Sequence, residues 1–334
     1  MENNKKNVYF FDQRGKLVEE KIEWKLFLNF IYKNKIGLFF RKILNKSFAS
    51  KIFGFFQNRF FSKYRIKSFI KKYNIDESEF EKNINEIKSF NDFFTRKLKP
   101  GSRQIDKNNF SSVISPADSK IFVIPQIYSN LKFNVKNCQF DLKKFLGDKK
   151  LAQNYENGSM LIFRLAPYDY HRYHFPIDCF VEKAKLINGL YDSVNPLVFS
   201  DDVKPLTENE RKLIILTPLR QGFPLRQSFA GHVGGQESEK FADVLMVVIG
   251  AMMVGKIKLT YKPDEKYKKG DECGYFEFGA SSIALLFKKN EIKINDVFIK
   301  NSAKGFETEI KMGQVVGSFF ENIKKVRDPE SSSG

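Results

Sequence analysis

Cysteine, histidine and long apolar runs are all scarce in this chain of 334 residues. Its three cysteines, Cys138, Cys179 and Cys273, form no CxxC pair, which excludes a disulfide framework, argues against a structural zinc site and favours a reducing compartment. The longest uncharged apolar run, residues 244–255, is shorter than the roughly 20 residues that a membrane-spanning helix requires. Residues 1–20 lack the apolar segment of a signal peptide. We therefore expect a soluble or peripheral protein without a secretion signal.

Basic residues are in excess, and the excess is concentrated in one segment. Lys and Arg number 57 against 39 Asp and Glu, which gives a formal net charge of +18. Residues 24–75 contain thirteen Lys and Arg and no Asp or Glu, so the rest of the chain carries only 18 − 13 = +5. Phenylalanines and other apolar residues recur among these basic residues at three- and four-residue spacing. This spacing is typical of short amphipathic helices.

Three interpretations of this basic, Phe-rich segment are open. Amphipathic helices can lie in a membrane interface, where each basic residue contributes about 1 kcal/mol on an anionic surface. The segment can equally be an ordinary helical subdomain whose phenylalanines form its core. Nucleic-acid binding is the weakest interpretation, because no recognised nucleic-acid-binding motif accompanies the charge.

The rest of the chain is predicted to contain one further helix and then many strands. Residues 76–88 have helical periodicity and an acidic first turn, which predict a helix. Beyond Pro100 and Gly101, short apolar segments alternate with Gly, Pro and Asn, a pattern typical of β-structure. We predict strands at residues 113–114, 121–124, 160–165, 181–187, 212–216, 244–249, 256–261, 275–278 and 283–287.

The predicted fold class is α+β, with N-terminal amphipathic helices followed by a β-rich core. We expect a helical, basic, membrane-associating region over residues 1–103 and a β-rich domain over residues 104–327. Residues 328–334 are predicted to be a disordered tail. The glycine-rich residues 218–240, which include His232, predict a long surface loop.

Few residues are candidates for chemistry. His171 and His174 lie three residues apart in the segment PYDYHRYHFP, and histidine is the natural general base near neutral pH. Both can instead be structural histidines, and we expect no metal site because further ligands at suitable spacing are missing. Asp118 lies in a predicted turn, where an aspartate usually caps its own backbone. Ser281 and Ser282 follow a predicted tight turn, and a serine there is a nucleophile only if a histidine and an aspartate reach it.

Several separate segments of the chain occur together, in the same order, in one protein family. They are FNDFFTRKLKPGSR (90–103), SPAD (115–118), RLAPYDYHRYH (164–174), VNP (194–196), NER (209–211), IGAMMVGKI (249–257) and KGDECGYFEFGASS (269–282). In this order they resemble the segments of phosphatidylserine decarboxylases, which are pyruvoyl-dependent membrane enzymes made as proenzymes. The resemblance covers most of the chain and rests on the linked order more than on any single segment.

The resemblance implies that the chain cuts itself immediately before Ser281. Asp118 would orient His174, and His174 would take the hydroxyl proton of Ser281. The freed oxygen would attack the carbonyl carbon of Ala280 and form an ester. β-Elimination would then cleave the chain, and hydrolysis with loss of ammonia would leave a pyruvoyl group derived from Ser281.

The resemblance also implies the reaction and the partners. The pyruvoyl ketone would form a Schiff base with the amine of phosphatidylserine and take up the electrons released with CO2, without metal or pyridoxal phosphate. The product would be phosphatidylethanolamine. His171 would protonate the resulting carbanion or contact the substrate carboxylate. We expect a β-chain (1–280) and an α-chain (281–334) that stay together, a homodimer, and a peripheral position on anionic lipid at the cytoplasmic face of the cell membrane, without nucleic acid.

The most important departure from the family pattern lies at the cut; Ser119, where the family usually has Gly, and the long loop at residues 218–240 are two others. Family sequences have Gly before the serine at the cut, whereas this chain has Ala280, whose Cβ is costly if the turn requires a positive φ. An alternative hypothesis is therefore a processing-defective, uncut relative that binds anionic membranes without decarboxylating. A third hypothesis is a serine hydrolase that uses Asp118, His174 and Ser281 on an external ester, although the chain lacks a Gly-x-Ser-x-Gly segment around that serine.

Overall fold

The computed structural model describes residues 7–46, 54–128, 132–133, 138–200, 203–219, 242–252, 256–279 and 281–320. The α-helices are α1 (Lys25–Lys33), α2 (Lys35–Leu44), α3 (Ile66–Tyr73), α4 (Phe90–Phe94), α5 (Leu142–Leu146), α6 (Lys149–Tyr155), α7 (Pro205–Glu208) and α8 (Asp296–Ala303). Short 3-10 turns lie at Phe60–Arg65, Glu77–Glu79, Ile84–Glu86 and Pro196–Val198.

Strands make up most of the remaining structure. They are β1 (Tyr9–Phe11), β2 (Leu17–Glu19), β3 (Ser112–Ile114), β4 (Ser119–Ile124), β5 (Lys132–Phe133), β6 (Cys138–Gln139), β7 (Ser159–Leu165), β8 (Arg172–His174), β9 (Cys179–Val181), β10 (Lys185–Ile187), β11 (Arg211–Pro218), β12 (Val244–Ile249), β13 (Ile257–Leu259), β14 (Glu265–Tyr267), β15 (Glu272–Phe276), β16 (Ser281–Phe287), β17 (Ile292–Ile294), β18 (Glu307–Ile310) and β19 (Val315–Phe319). The structure is thus mixed α and β with a β-rich core, as the sequence predicts.

One large sheet organises the molecule. Its strand order is β14-β9-β11-β12-β16-β7-β4-β18-β1-β2, and β10 also pairs with β11. Two smaller sheets, β13-β15-β8 and β17-β19-β3, pack with it, and β5 pairs with β6. Because β16 lies between β12 and β7, the C-terminal part of the chain occupies the middle of the large sheet.

The central strands are apolar throughout because both faces of the large sheet are covered. Ile283 and Leu285 of β16 lie in a first core, which also contains Tyr173 of β8 and Phe276 of β15. Ala284 of β16 and its neighbours on the other face lie in a second core beneath α5 and α6. A third core, around α3 and α4, contains Phe278 of the segment that leads into β16. All three cores therefore meet near the start of β16.

Most of the strand predictions are confirmed. The segments predicted at residues 160–165, 212–216 and 283–287 correspond to β7, β11 and β16. The single strand predicted at residues 181–187 is wrong, because two short strands, β9 and β10, occupy this stretch, and both pair with β11.

The helix predicted at residues 76–88 is also wrong. The segment forms two 3-10 turns, and Phe80 between them makes a β-bridge to Leu98. The Asp76 side chain accepts a hydrogen bond from the Ser78 amide, and the Asn83 side chain accepts one from the Asn85 amide. Such local side-chain bonds compete with a continuous helix.

The basic N-terminal segment contains short helices, of which α1, α2 and α3 have nine, ten and eight residues. Residues before it form β1 and β2, and β1 joins the large sheet through a parallel pairing with β18. Within the described ranges, no helix is both long and apolar enough to cross a bilayer. The tail at residues 328–334 and the loop at 218–240, apart from its first two residues, lie outside the described residues.

A buried ion cluster joins distant parts of the chain at β7. Arg164 of β7 donates to both carboxylate oxygens of Glu20, at 3.0 and 2.9 Å, and to Oε1 of Glu307 at 2.9 Å. Burial alone would raise the pKa of the Glu20 carboxyl group, but the positive charges of Arg164 and Lys120 outweigh burial and lower that pKa. The cluster therefore holds ionised groups inside the protein, where each depends on its partners.

We predict that Arg164→Met destabilises the chain by about 3–5 kcal/mol, because the buried Glu20 and the partly buried Glu307 would lose their counter-charge. The control is Lys185→Met, which removes an exposed ion pair with 3.8 Å between Lys185 Nζ and Asp148 Oδ2. This variant should lose less than about 1 kcal/mol of stability. Denaturant unfolding of both variants, in a Ser281→Ala background that keeps the chain in one piece, provides the measurement. Equal losses of stability in the two variants would contradict this assignment.

Candidate functional site

Ser281 is the first residue of β16 and is held on both sides by neighbouring strands. It pairs with Leu165 of β7, and the next residue, Ser282, pairs with Ile249 of β12. Since side chains alternate along a strand, Ser281 shares a face with Ile283 and is directed to the first core. Its Oγ is fully buried and has no hydrogen-bond partner among the described residues. An unsatisfied hydroxyl is costly in a protein interior, and reactive groups are one class of residue in which it is found.

Asp118 occupies the turn between β3 and β4 and is fully ion-paired. Its carboxylate accepts hydrogen bonds from Arg103, from Nε at 3.0 Å and Nη2 at 2.6 Å, and from the amide of Met312 at 2.9 Å. Arg103 also donates to Glu79, at 2.7 and 3.0 Å. Burial raises the pKa of the Asp118 carboxyl group, but these hydrogen bonds and the nearby positive charges more than reverse the effect. Asp118 is therefore ionised near neutral pH.

His174 ends β8, beside the turn that carries Asp118. Its backbone amide donates to the carbonyl of Pro116 at 2.8 Å. Nδ1 of the ring lies 2.9 Å from the carbonyl oxygen of Gly270, and Nε2 lies 3.2 Å from the Tyr170 hydroxyl. A carbonyl oxygen only accepts, so we assign the ring proton to Nδ1, which leaves Nε2 as an acceptor. Burial lowers the pKa of His174, so the ring is neutral at pH 7.

His171 is buried more deeply than His174. Its Nδ1 lies 2.9 Å from the carbonyl oxygen of Asp169, and its ring packs on Phe94 with 3.7 Å between ring centres. Nε2 is buried and has no partner among the residues that the structure describes. Burial lowers the pKa of His171 to about 3. His171 is therefore a neutral imidazole with an unused acceptor.

The carboxylate of Asp118 is hydrogen-bonded to Arg103 and Met312, whereas the His174 ring is oriented by a backbone carbonyl. Asp118 acts on both histidines through its charge, which raises the pKa of each ring against the effect of burial. Arg103 was not among the site residues expected from the sequence, although it ends the 90–103 segment. Neither Ala280 nor His232 lies within the described residues.

An open cleft reaches the segment just before Ser281, where Phe278 and Gly279 line it. Residues from the end of β7 and from the segment after β15 line the side nearest Ser281 in sequence, which we call the inner wall, and residues of the N-terminal region line what we call the outer wall. Residues 193–195 and Met252 also line the cleft. The inner residues include Leu165, Ala166, Phe278 and Gly279, and the outer residues include Lys21, Trp24, Phe27, Arg65 and Phe69. Within the described ranges, no group of three or more His, Cys, Asp or Glu side chains could hold a metal ion.

Comparison with known proteins points to one family. A family model described as phosphatidylserine decarboxylase matches residues 90–318. The chain is 39% identical over 317 residues to a phosphatidylserine decarboxylase proenzyme of Fusobacterium nucleatum, covering 95% of this chain and 99% of that one. It is 39% identical over 305 residues to the proenzyme of Chlamydia pneumoniae, covering 90% and 94%. It is 38% identical over 314 residues to the proenzyme of Clostridium tetani, covering 94% and 99%.

We predict that the two site histidines titrate differently. In an uncut Ser281→Ala chain, His171 should stay neutral between roughly pH 5 and 8, because burial lowers its pKa to about 3. His174 should titrate below its ordinary value of 6.5. Histidine NMR can resolve both, since the chain has only three histidines, and the variants His171→Gln and His174→Gln assign the signals. A His171 signal that titrates near pH 6.5 would contradict the structure.

Proposed function

The chain belongs to the phosphatidylserine decarboxylase family, and we propose that it cuts itself between Ala280 and Ser281 and then converts phosphatidylserine to phosphatidylethanolamine and CO2. The observation that carries this proposal is the buried Oγ of Ser281 at the start of β16, which has no hydrogen-bond partner among the described residues and lies beyond the inner end of the cleft. A nucleophile that attacks its own peptide bond needs no external substrate next to it.

Self-cleavage requires a base for the Ser281 hydroxyl, and His174 has the suitable tautomer. Because Nδ1–H is held by Gly270, the lone pair of Nε2 is the acceptor. In the uncut chain this lone pair faces Tyr170, so His174 must exchange that hydrogen bond for one from Ser281. The ionised Asp118 favours the imidazolium that forms when His174 takes the proton. Arg103 in turn keeps Asp118 ionised and fixed in position.

The two pieces produced by the cut, a β-chain of residues 1–280 and an α-chain of 334 − 280 = 54 residues, are expected to stay together. In the α-chain, β16 is paired on both edges, and β18 is paired with β4 and β1. Glu307 of this chain also reaches Arg164, and the Met312 amide reaches Asp118. These contacts do not depend on the peptide bond before Ser281.

The pyruvoyl group that we expect at position 281 supplies a ketone that condenses with the substrate amine and takes up the electrons released with CO2. The protein supplies the rest from its own residues. Substrate reaches position 281 through the cleft past Gly279. The unused Nε2 of His171 is positioned to accept a hydrogen bond from the substrate ammonium group, and His171 remains our candidate to protonate the carbon that loses CO2 or to contact the substrate carboxylate.

The N-terminal helices support a peripheral membrane position, which we propose at the cytoplasmic face of the cell membrane. Their apolar residues divide into two groups: Ile31, Ile66 and Phe69 are buried, as an ordinary core would require. Many others are exposed to solvent: Leu26, Phe30, Ile36, Phe39, Phe40, Ile43, Phe55, Phe56, Phe60, Phe61 and Tyr64. Exposed rings among basic residues suit an anionic lipid surface. A homodimer is the expected assembly.

The alternative function is an uncut, membrane-binding relative. The reason to consider it is Ala280, which lies outside the described residues. The residue before it, Gly279, has a φ of 145°, a value that residues with a side chain rarely adopt. If the same backbone strain extends to position 280, an alanine slows the attack on its carbonyl carbon. A barrier higher by about 1.4 kcal/mol slows cleavage tenfold.

We predict that the purified protein consists of two chains under denaturing conditions. The smaller chain should have a mass of about 6 kDa, the share of 54 residues in a 39.0 kDa chain of 334. Hydroxylamine should add one oxime to it, because its first residue carries a ketone. Ser281→Ala should abolish the cut, whereas Ser282→Ala, the matched control on the opposite face of β16, should leave it intact. A single 39 kDa species from the unmodified sequence would support the uncut alternative.

A second prediction concerns the residue before the cut. Ala280→Gly should increase the rate at which newly synthesised chain is cut, because glycine tolerates a positive φ without a Cβ penalty. Pulse-labelled synthesis followed by denaturing electrophoresis measures this rate, and Ala284→Gly in the middle of β16 serves as the control. An unchanged rate for Ala280→Gly would show that alanine does not restrain processing.

A further inference from the structure

Two positively charged residues on the cleft wall have no carboxylate partner among the described residues. They are Lys21, two residues after the end of β2, and Arg65, immediately before α3. The other charges on the wall are balanced: Arg164 is bound by Glu20 and Glu307. Glu23, also on the wall, is paired with Lys72 and accepts a hydrogen bond from Tyr73. Within the described part of the chain, the cleft wall therefore carries uncompensated positive charge.

Aromatic rings hold Arg65 in place without neutralising it. Its guanidinium carbon lies 5.8 Å from the centre of the Trp24 ring and 5.2 Å from that of Phe90. Phe90 in turn packs against Phe278, with 5.1 Å between ring centres. Phe278 is three residues before Ser281 and lies on the inner wall of the cleft. Arg65 is thus connected by direct ring contacts to the segment that leads into the reaction centre.

Trp24 adds a second feature at the same place. Its φ of 56° is left-handed, although it is a bulky residue at the start of α1. Such a conformation is costly and is maintained only when the surrounding structure requires it, most often at functional sites. Here it places a large ring on the cleft wall, next to Arg65.

We propose that Arg65, with Lys21 on the same wall, binds the phosphodiester group of the phospholipid substrate. This inference rests on the proposed function and adds a binding subsite to it. In phosphatidylserine a short chain of covalent bonds separates the phosphate from the amine, so a phosphate at the outer wall leaves the amine directed inward. A guanidinium donates in a planar fork that matches phosphate oxygens.

The chemistry of the reaction favours the phosphate over the substrate carboxylate as the ligand of Arg65. A cation bound to the carboxylate would stabilise a charge that disappears when CO2 leaves, and so would slow the reaction. The phosphate charge does not change during the reaction. A contact with the phosphate stabilises the bound substrate and the transition state by the same free energy. Its loss should therefore raise KM and leave kcat unchanged.

The position of Trp24 provides a direct binding measurement, because it is the only tryptophan in the chain. In the uncut Ser281→Ala protein, we expect glycerophosphoserine to change Trp24 fluorescence in a saturable way. Arg65→Gln should weaken this binding roughly tenfold, the usual value of a charge-assisted contact. Arg59→Gln is the matched control, since Arg59 is also exposed and stacked on a ring, Phe55, but is not part of the cleft wall.

Three further measurements test whether the phosphate is the group that Arg65 binds. Serine methyl ester, which lacks phosphate, should bind equally to the parent and to Arg65→Gln. Lys21→Gln is a second variant that should weaken glycerophosphoserine binding, and circular dichroism verifies that each variant is folded. In the mature enzyme, Arg65→Gln should raise KM for phosphatidylserine with kcat unchanged.

The inference is overturned if the parent shows no saturable binding, or if Arg65→Gln binds glycerophosphoserine as tightly as the parent and Arg59→Gln do. Failure of the proposed function is a different result. In that case the mature protein releases no CO2 from phosphatidylserine, while phosphate-dependent binding in the uncut chain is retained.

Discussion

The double pairing of β16 is the constraint on which the rest of the structure depends. With β7 on one edge and β12 on the other, the position and direction of Ser281 are fixed by backbone hydrogen bonds. The same pairing directs the Ser281 side chain to the first core, where its hydroxyl has no partner in the part of the chain that the structure describes. It also explains how the proposed cut can leave the fold intact, because the strand remains in the middle of the sheet when the bond before it is broken.

Burial determines the charge state of the site. Both histidines are neutral because removal from water disfavours their protonated forms, and backbone carbonyls fix the proton on Nδ1 of each ring. Asp118 is equally buried but remains ionised, because Arg103 and the Met312 amide hold its carboxylate. The site therefore combines two neutral imidazoles with one fixed negative charge.

Strands with continuous apolar sequence were predictable, whereas elements controlled by local polar bonds were not. β12 and β16 follow from their apolar runs, since both faces are covered. The helix predicted at residues 76–88 is wrong because short side-chain bonds from Asp76 and Asn83 create separate turns. Periodicity alone contains no information on that competition.

The candidate residues were predictable from the linked segments, but their contacts were not. The Gly270 carbonyl that orients His174 is part of the backbone, which has no side-chain signature in a sequence. Arg103 lies in a recognised segment, yet only the fold shows that it binds Asp118. Likewise, the cluster of Arg164 with Glu20 and Glu307 joins residues more than a hundred positions apart.

The most direct test of the account is the release of labelled CO2 from phosphatidylserine labelled in its serine carboxyl group. The mature protein in detergent micelles should release the label and form an equal amount of phosphatidylethanolamine, without added metal or pyridoxal phosphate. Prior reduction with borohydride should abolish the release, because the ketone at position 281 would become an alcohol. A correctly cut protein that releases no CO2, or one whose activity survives reduction, would contradict the account.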